Sequence, residues 1–273
     1  MKHSVQQQTH NPLSDKAFLS AVFSYYDKYG RHDLPWRSSK ATPYHIVVSE
    51  IMLQQTQVPR VIPKYHDWLR VYPTLRKLSQ ASLSDVLSLW QGLGYQRRAK
   101  SLLALARTCT RLPKTYEELC ALPGIGPYTA TAVCAFAYDT FCLPMIETNI
   151  RAAVIHTFFQ GQERVSDKEI QQVVQRLTDR ADVRKRGARY VYSALMDYGA
   201  MIKKSVATYT GESAAFVRQT PFRGSRRELR ARVLVAVREG VPLSHDDRTD
   251  GVLHELEREG FIEKSRDTWS ITK

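Results

Sequence analysis

The carboxyl group of Glu50 is the first candidate for chemistry in this sequence. Glu50 lies in the segment VVSEIML, where apolar residues flank it on a helix that we expect to be buried. Burial disfavours the charged form of a carboxyl group, so we expect a raised pKa and a bound proton near neutral pH. Such a group can act as a general acid. The alternative is a partly exposed helical glutamate without a catalytic role.

A second candidate is the glycine-rich segment LPGIG at 122–126, which lies between two predicted helices. Glycine permits positive φ angles and leaves backbone N–H groups uncovered. Such groups at a helix N-terminus, together with the helix dipole, favour binding of an anion such as a phosphate. The alternative is an ordinary tight turn between helices.

The segments that must position these residues are nearly all helical in pattern. Residues 43–58 predict a mostly buried helix that begins at a proline. Ser166 and Glu169 have the spacing of a capping box, which predicts the start of a helix over 166–180. No strand alternation precedes residue 260. We therefore predict an all-α main domain.

The C-terminal segment has a different pattern. Residues 225–239 and 246–259 predict two helices, the first of them basic, and residues 261–271 predict a strand, a turn and a second strand. This order of elements is typical of a small winged helix. We place the boundary within the weakly periodic stretch 205–222 and predict a basic winged-helix-like domain over 220–273.

The charge balance indicates a polyanionic partner. Lys and Arg number 40 against 27 Asp and Glu, which gives a net charge of +13 at pH 7. This excess favours nucleic acid first and an anionic membrane surface second, and charge that serves only solubility is the alternative. No run of about 18 apolar residues predicts a membrane span. The first residues lack the apolar core of a secretory signal, so we expect a cytoplasmic protein.

The cysteines do not have the spacing of a metal site. Cys109, Cys120, Cys134 and Cys142 include no CxxC pair. Isolated cysteines of this kind are usually core residues of a protein from a reducing compartment. We therefore expect neither a zinc site nor an iron–sulfur cluster.

Six motifs occur together in one order along the chain: HDLPWR (32–37), SEIMLQQTQV (49–58), LWQGLGY (89–95), LPGIGPYTA (122–130), IETNIR (146–151) and ALMDYGAMI (194–202). This series resembles the endonuclease III superfamily of helix-hairpin-helix DNA base-excision glycosylases. The segment SEIMLQQTQV resembles its adenine-specific, MutY-type branch in particular.

The resemblance implies a two-lobed, all-α glycosylase domain over 1–219. One lobe of six helices would span 31–145, with its hairpin at 122–126, and the second helical lobe would combine 14–30 with 146–204. The partner implied is double-stranded DNA that carries a mispaired or damaged base, bound by a monomer.

The resemblance also assigns two acidic residues to the cleavage of an N-glycosidic bond, in which positive charge develops on the sugar and adenine needs a proton to leave. Glu50 matches the residue that protonates adenine and then assists the water. Glu147 matches an Asp that stabilises the sugar cation, with Asn149 hydrogen-bonded nearby. We expect both carboxyls to converge on one everted nucleotide.

Two of these catalytic positions need comment. Glu147 has one methylene more than the family's Asp, so an adjusted pocket, a weak activity and a different substrate all stay open, as does a loop glutamate without a role. Tyr128 stands where bifunctional relatives carry a lysine that forms a Schiff base. Tyr128 therefore predicts a monofunctional glycosylase.

Further residues match positions that hold DNA or line the base pocket. A flipped base leaves a gap that a wedge must fill, and Gln54, Gln55 and Thr56 match the loop that enters the duplex, with Gln55 as the intercalating residue. Gly124 and Gly126 would contact a phosphate. The base pocket would include Trp36, Arg37 and Leu53, although core packing is the alternative for Trp36 and Leu53.

Three departures limit the resemblance. The family's four closely spaced cysteines are replaced after ALMDYGAMI by KKSV, so we predict no iron–sulfur cluster and expect the basic stretch from Lys203 to Arg232 to take over DNA contacts. Gln96 replaces a Tyr that stacks near the opposing 8-oxoguanine. The winged-helix-like segment stands in place of a NUDIX-like domain, and we expect its residues Arg226, Arg227 and Arg230 to bind DNA.

Three functions stay open at this point. The first is a monofunctional glycosylase that removes adenine opposite 8-oxoguanine or guanine. The second is a glycosylase for thymine or uracil opposite guanine, against which Glu50 argues because a pyrimidine leaves more readily as an anion. The third is a DNA-binding protein with a decayed site, against which the two retained acids argue.

Overall fold

The structure is a computed structural model that describes residues 13–162, 164–205, 221–244, 246–266 and 268–272. These residues are mainly helical, which confirms the all-α prediction. The helices are α1 (Asp15–Tyr29), α2 (Pro43–Leu53), α3 (Val58–Val71), α4 (Leu75–Ser79), α5 (Leu83–Leu89), α6 (Arg97–Thr108), α7 (Tyr116–Cys120), α8 (Pro127–Tyr138), α9 (Thr148–Phe158), α10 (Asp167–Thr178), α11 (Ala181–Arg184), α12 (Ala188–Ser205), α13 (Arg226–Glu239) and α14 (Asp247–Arg258).

Many of these helices begin at a residue that caps them. The Ser166 hydroxyl accepts the backbone N–H of Glu169, while the Glu169 carboxylate accepts the backbone N–H of Ser166, so the predicted capping box of α10 is confirmed. The Thr42 hydroxyl caps α2 by accepting the backbone N–H of His45, and Pro43 lies in the first turn.

Packing divides the chain into two compact units. The first combines Met1–Ser38 with Ala130–Val217, and the second combines Ser39–Thr129 with Arg218–Lys273. These limits differ from the predicted lobes, 14–30 with 146–204 and 31–145. The predicted domain boundary at 219/220 lies outside the described residues.

In the first unit, α12 packs closely on the start of α9. A Cβ atom on Gly199 would lie 1.9 Å from the backbone oxygen of Asn149. Glycine is therefore the residue that allows α12 to approach α9 at this point. Two residues earlier on α12, the buried side chain of Asp197 pairs with Arg31 and Arg37. The close approach of Gly199 thus sets the position of α12 against the N-terminus of α9, and the ion pairs of Asp197 join α12 to the segment 31–37.

In the second unit, α2 is buried over most of its length: its buried residues are Tyr44 and all of 46–52. The indole N–H of Trp68 donates to the Tyr44 hydroxyl over 3.0 Å, and the rings of Trp68 and Trp90 meet edge to face with centroids 5.5 Å apart. The helix ends at Leu53, so the prediction that it continues to residue 58 was wrong. The carbonyls at its end are bound by an arginine of α6, as described below.

The C-terminal segment of the second unit contains α13, α14 and a hairpin of β1 (Ile262–Ser265) and β2 (Thr268–Ile271), which pair antiparallel with Ile262 opposite Ile271. The predicted helix, helix and hairpin are therefore confirmed. This segment packs on α6, because the Lys100 ammonium donates to the carbonyls of Glu259 and Gly260 and lies over the Phe261 ring. These contacts explain why packing groups it with 39–129.

Candidate active site and nucleic-acid interface

Glu50 lies on α2 among apolar neighbours and is buried, as the sequence predicted, with 7 % of its surface exposed. The hydroxyl of Tyr128, in the first turn of α8, donates to Oε2 of Glu50 over 3.4 Å. The residue that replaces the family's lysine is therefore in contact with the predicted general acid. Its phenol can orient that carboxyl group, but it has no amine with which to attack a sugar carbon.

The loop after α2 places one of its glutamines at the surface. Gln55 is exposed, and its φ angle of 57° is in the left-handed region, which is uncommon for a residue with a side chain. Gln54 Nε2 donates to the Thr129 hydroxyl of α8 over 3.2 Å, and the Thr56 hydroxyl donates to the Leu93 carbonyl over 3.3 Å. The loop is thus held by hydrogen bonds on both sides of Gln55. A residue that is predicted to insert into DNA requires a fixed backbone of this kind.

The glycine hairpin needs glycine at Gly124 in particular. Gly124 has a φ angle of 77°, and a Cβ there would lie 2.5 Å from Cβ of Ser101 on α6. Gly126 has open space where a Cβ would project, directly before Pro127 begins α8. Buried Ile125 anchors the turn. The start of α8 is exposed and a small residue precedes it. Such a helix start can bind an anion, as the predicted phosphate contact requires.

Glu147 is the N-cap of α9. Its Oε1 accepts the backbone N–H groups of Asn149 and Ile150, each over 2.8 Å, and its Oε2 accepts the Asn149 side-chain amide over 3.1 Å. Burial raises the pKa of Glu147, while the two backbone donors and the charges of Lys203 and Arg31 oppose that rise. The predicted pairing of Glu147 with Asn149 is therefore present.

Arg37 is held by a carboxylate of its own unit. Its Nη1 and Nη2 donate to the two oxygens of Asp197 over 2.7 and 3.0 Å. Burial by itself would raise the pKa of Asp197, but the hydrogen bonds and charges of Arg37 and Arg31 lower it below its ordinary value. Trp36 is buried and Leu53, the last residue of α2, is half-buried. The predicted pocket roles of these three residues stay predictions.

The predicted DNA-binding arginines of α13 differ in their surroundings. Arg230 is bound to the carboxylates of Glu255 and Glu259, and its side chain is only 15 % exposed. Arg226 also pairs with Glu255, but it is largely exposed. Arg227 donates to the Tyr95 hydroxyl over 3.1 Å. Of these three, Arg230 therefore fixes the tail itself. The predicted basic stretch 203–232 falls partly on 206–220, outside the described residues.

Arg98 was missed by the sequence analysis. Its guanidinium contacts the carbonyls at the end of α2 and those of the turn before α6, as detailed below. One feature of the sequence could have indicated Arg98: it lies in the first turn of α6, where a positive charge is unfavourable because it opposes the helix dipole. An arginine at that position indicates a tertiary contact elsewhere.

A cavity of about 1090 Å³ lies within the second unit, between the turn 92–96 and α13. Gln55 and Tyr95 line it together with seven arginines, three glutamates and several apolar side chains. Gln96, which replaces the family's second Tyr, is also in its wall. Arginines outnumber glutamates in this lining, so it has a net positive charge.

Within the described residues, no three His, Cys, Asp or Glu side chains come together in a way that could hold a metal ion. Cys109 and Cys120 belong to the second unit and Cys134 and Cys142 to the first. An iron–sulfur cluster needs four thiolates around one group, so the absence of a cluster from this protein stays a prediction. Among the described helices, none has the length and apolar character of a membrane span.

The family model of the HhH-GPD superfamily of base excision DNA repair proteins matches residues 48–190. That match covers Glu50, Gln55, the hairpin, Tyr128 and Glu147. The chain belongs to this superfamily. The predicted helix-hairpin-helix resemblance is confirmed.

Relatives of this superfamily member include adenine DNA glycosylases. The one from Mycolicibacterium smegmatis is 31 % identical over 278 residues, which cover 90 % of this chain and 92 % of the relative. The one from Mycobacterium tuberculosis is 46 % identical over 127 residues, 45 % of this chain and only 41 % of the relative. Among solved structures, a thermostable thymine-DNA glycosylase matches with a TM-score of 0.58 and 25 % identity, over 68 % of this chain and 86 % of that one.

Proposed function

We propose that this protein is a monofunctional DNA glycosylase that hydrolyses the N-glycosidic bond of adenine opposite 8-oxoguanine or guanine. The observation that carries the proposal is the pair of Glu50 and Tyr128. The buried carboxyl group of Glu50 accepts a hydrogen bond from the Tyr128 phenol, and by resemblance bifunctional members of the superfamily carry an amine at the position of that phenol. The adenine DNA glycosylases among its relatives support the choice of base.

Glu50 supplies the proton in this reaction. The bond between C1′ and N9 breaks, its electron pair leaves with the adenine, and the proton of the Glu50 carboxyl group passes to the adenine ring. Water then adds to C1′ and returns a proton to the Glu50 carboxylate. Both steps require a group that changes its protonation state near neutral pH, which burial favours for a carboxyl group.

Glu147 stabilises the positive charge that develops on the sugar. Three hydrogen bonds from Asn149 and Ile150 hold its two oxygens in place, so the carboxylate needs no reorganisation as the charge forms. The longer side chain of glutamate is accommodated as an N-cap of α9. That Glu50 and Glu147 act on the same nucleotide stays a prediction.

The DNA is held at several points. The helix start after Gly126 contacts a phosphate, Gln55 fills the space of the everted base, and exposed Arg226 with Arg227 extends the contact along the duplex. Trp36, Arg37 and Leu53 belong to the base pocket in this proposal. We further propose that the protein acts as a monomer on double-stranded DNA and without an iron–sulfur cluster.

A second candidate is removal of thymine or uracil opposite guanine. The solved thymine-DNA glycosylase with a TM-score of 0.58 favours it. The two functions differ in their need for a proton on the leaving base, because a pyrimidine leaves as a stabilised anion. Dependence on Glu50 therefore separates them.

The test is an excision assay on four duplexes, with adenine opposite 8-oxoguanine, adenine opposite guanine, thymine opposite guanine and uracil opposite guanine. We expect strand breaks in the two adenine duplexes, and only after hot alkali, because a monofunctional enzyme leaves the abasic site intact. Glu50→Gln should abolish excision, whereas Glu117→Gln, at an exposed position of α7, should not change it.

Each other outcome contradicts a specific part of the proposal. Cleavage of the thymine or uracil duplexes alone selects the second candidate. Tight duplex binding with no cleavage of any substrate indicates a decayed, DNA-binding relative. Persistent turnover by Glu50→Gln removes Glu50 from the role of the acid.

A further inference from the structure

Arg98 joins the end of α2 to the loop 54–56, which contains Gln55 and is called the wedge loop below. Its Nη1 donates to the carbonyls of Ile51, over 2.7 Å, Met52, over 3.1 Å, and Gln54. The last carbonyls of a helix have no partner within the helix and are usually bound by water or by a cap. Here an arginine from another helix binds them, and α2 ends where it does so.

The other nitrogen of the same guanidinium reaches a second loop. Nη2 donates to the carbonyls of Leu93, over 2.9 Å, and Gly94, over 3.2 Å, and to the Thr56 hydroxyl over 3.3 Å. One planar group with fixed donor directions thereby connects the wedge loop to the turn before α6. A change in either loop would break bonds to the same side chain.

Both loops contain a residue in an unfavourable backbone conformation. Gln55 has a φ angle of 57° and Tyr95 one of 48°, and both are exposed. Left-handed conformations of residues with a side chain cost free energy and persist where the surroundings impose them. The bonds of Arg98 to Gln54 and Thr56 bracket Gln55, and its guanidinium lies 5.4 Å from the centre of the Tyr95 ring.

The placement of this charge is itself costly. The acceptors described above are neutral carbonyls and one hydroxyl, and the Arg98 Nε is buried without a hydrogen-bond partner among the described residues. Burial lowers the pKa of Arg98 to about 10, with the charge of Tyr95 opposing that fall. The free-energy cost of burying this charge must be offset by its interactions, and the hydrogen bonds that hold the two loops in place are those interactions.

We propose that Arg98 is a positioning residue for base extrusion, which holds the loop 54–56 in the one conformation that lets Gln55 enter the duplex. The proposal rests on the proposed function in one respect, because it takes Gln55 as the wedge. Arg98 touches neither the base nor the sugar in this account and acts through Gln55 alone. Its loss should therefore affect extrusion of the base rather than the bond-breaking step.

The experiment is a double-mutant cycle of Arg98→Lys and Gln55→Ala. Lysine keeps the charge but cannot bind both loops at once, since it lacks the planar fork. Extrusion is followed by the fluorescence of 2-aminopurine placed in the duplex opposite guanine, and excision by single-turnover rates. Arg107→Lys is the matched control, because Arg107 lies exposed on the same helix and its Nη2 donates to the Ala81 carbonyl over 3.0 Å.

We expect each single variant to slow extrusion by about tenfold, and the double variant to be no slower than either, because coupled residues do not add their effects. Arg107→Lys should match the wild type. A double variant slowed by the product of the two single effects overturns the proposal, and so does normal extrusion in Arg98→Lys.

A second variant keeps the test decisive if Arg98→Lys does not fold. Thr56→Val leaves the arginine in place but removes one of its acceptors, together with the hydroxyl's own bond to the Leu93 carbonyl. It should slow extrusion by about threefold, again without adding to Gln55→Ala. Additive effects there count against the proposal. A wild type that extrudes 2-aminopurine but excises no base contradicts the proposed function and leaves this inference intact.

Discussion

Gly199 of α12 lies against the backbone carbonyl of Asn149, so closely that a Cβ atom on Gly199 would be 1.9 Å from that oxygen. Asn149 in turn donates its backbone N–H and its side-chain amide to Glu147. The glycine in ALMDYGAMI therefore determines where the N-terminus of α9, and with it the predicted catalytic carboxylate, is located.

Gly199→Ala should displace the start of α9. We expect the free energy of unfolding to fall by about 1–3 kcal/mol, as for other overpacked sites, and excision to slow by about tenfold or more because a small shift of a catalytic group is enough for that. Thermal unfolding and single-turnover rates measure the two effects. The control is Gly251→Ala on α14, where a new Cβ meets open space; it should be neutral or stabilise by about 1 kcal/mol. Equal behaviour of the two variants contradicts the argument.

Glu147→Gln should slow excision by about 10²–10³-fold, because the amide keeps the size of the side chain but cannot stabilise a sugar cation. Duplex binding should persist, since the proposed function assigns it to the hairpin, to Gln55 and to the exposed arginines of α13. A filter-binding assay and a single-turnover assay on the same duplex separate these quantities. Wild-type excision rates in this variant would show that Glu147 has no catalytic role.

The stability of the wild type should also depend on pH through Glu147. Burial raises the pKa of Glu147 above the value of about 4.5 for the unfolded chain, so the folded protein holds this proton to higher pH than the unfolded one. The contribution of Glu147 to stability therefore falls as pH rises from about 4.5 through the raised pKa. The free energy of unfolding, measured across this pH range, should fall with rising pH in the wild type and should lack this dependence in Glu147→Gln.

Tyr128→Lys should introduce lyase chemistry. The amine would stand at the position where the Tyr128 hydroxyl now contacts Glu50, and it can condense with C1′ of the open-chain sugar, releasing water and forming a Schiff base. We expect a covalent protein–DNA adduct after borohydride reduction, which the wild type should not form. Tyr128→Phe is the control and should stay monofunctional. A Tyr128→Lys variant that excises but traps no DNA would argue against proximity of residue 128 to the sugar.

Glu259→Gln should loosen the C-terminal segment. The hydrogen bond from Arg97 and the contacts with Arg230 lower the pKa of Glu259 to about 2, although burial opposes them. The ionised carboxylate thus contributes stability above the ordinary value of about 4.5, and this contribution is lost as the pH falls toward about 2. We expect the variant to lose about 1–3 kcal/mol, since two guanidinium groups lose a charged partner.

Hydrogen exchange of α13, α14 and the hairpin, with and without duplex, measures this effect. Glu257→Gln, at a more exposed position in the last turn of α14, should leave the exchange unchanged. Unchanged exchange in Glu259→Gln would show that the tail is held by other contacts. Arg230 forms ion pairs with Glu259 as well. Arg230→Gln should therefore raise the hydrogen-exchange rate of the C-terminal segment more than it changes the salt dependence of DNA binding.

The elements that depend on neighbouring residues were predictable from the sequence. The capping box of Ser166 and Glu169 acts over three residues, and the turn at Gly124 requires a conformation that glycine adopts readily. The amphipathic helices and the C-terminal hairpin follow from periodicity in the same way. Burial of Glu50 was also predictable, because its immediate neighbours on α2 are apolar.

Contacts between distant parts of the chain were decided only by the tertiary structure. Arg98 binds the Ile51 carbonyl across 47 positions of sequence, and it thereby ends α2 at Leu53 where local periodicity favoured continuation to residue 58. Arg230, whose contact with DNA stays a prediction, is bound to Glu255 and Glu259. Side-chain charge and spacing are local properties, whereas the partner that satisfies each charge depends on which helices the topology brings together.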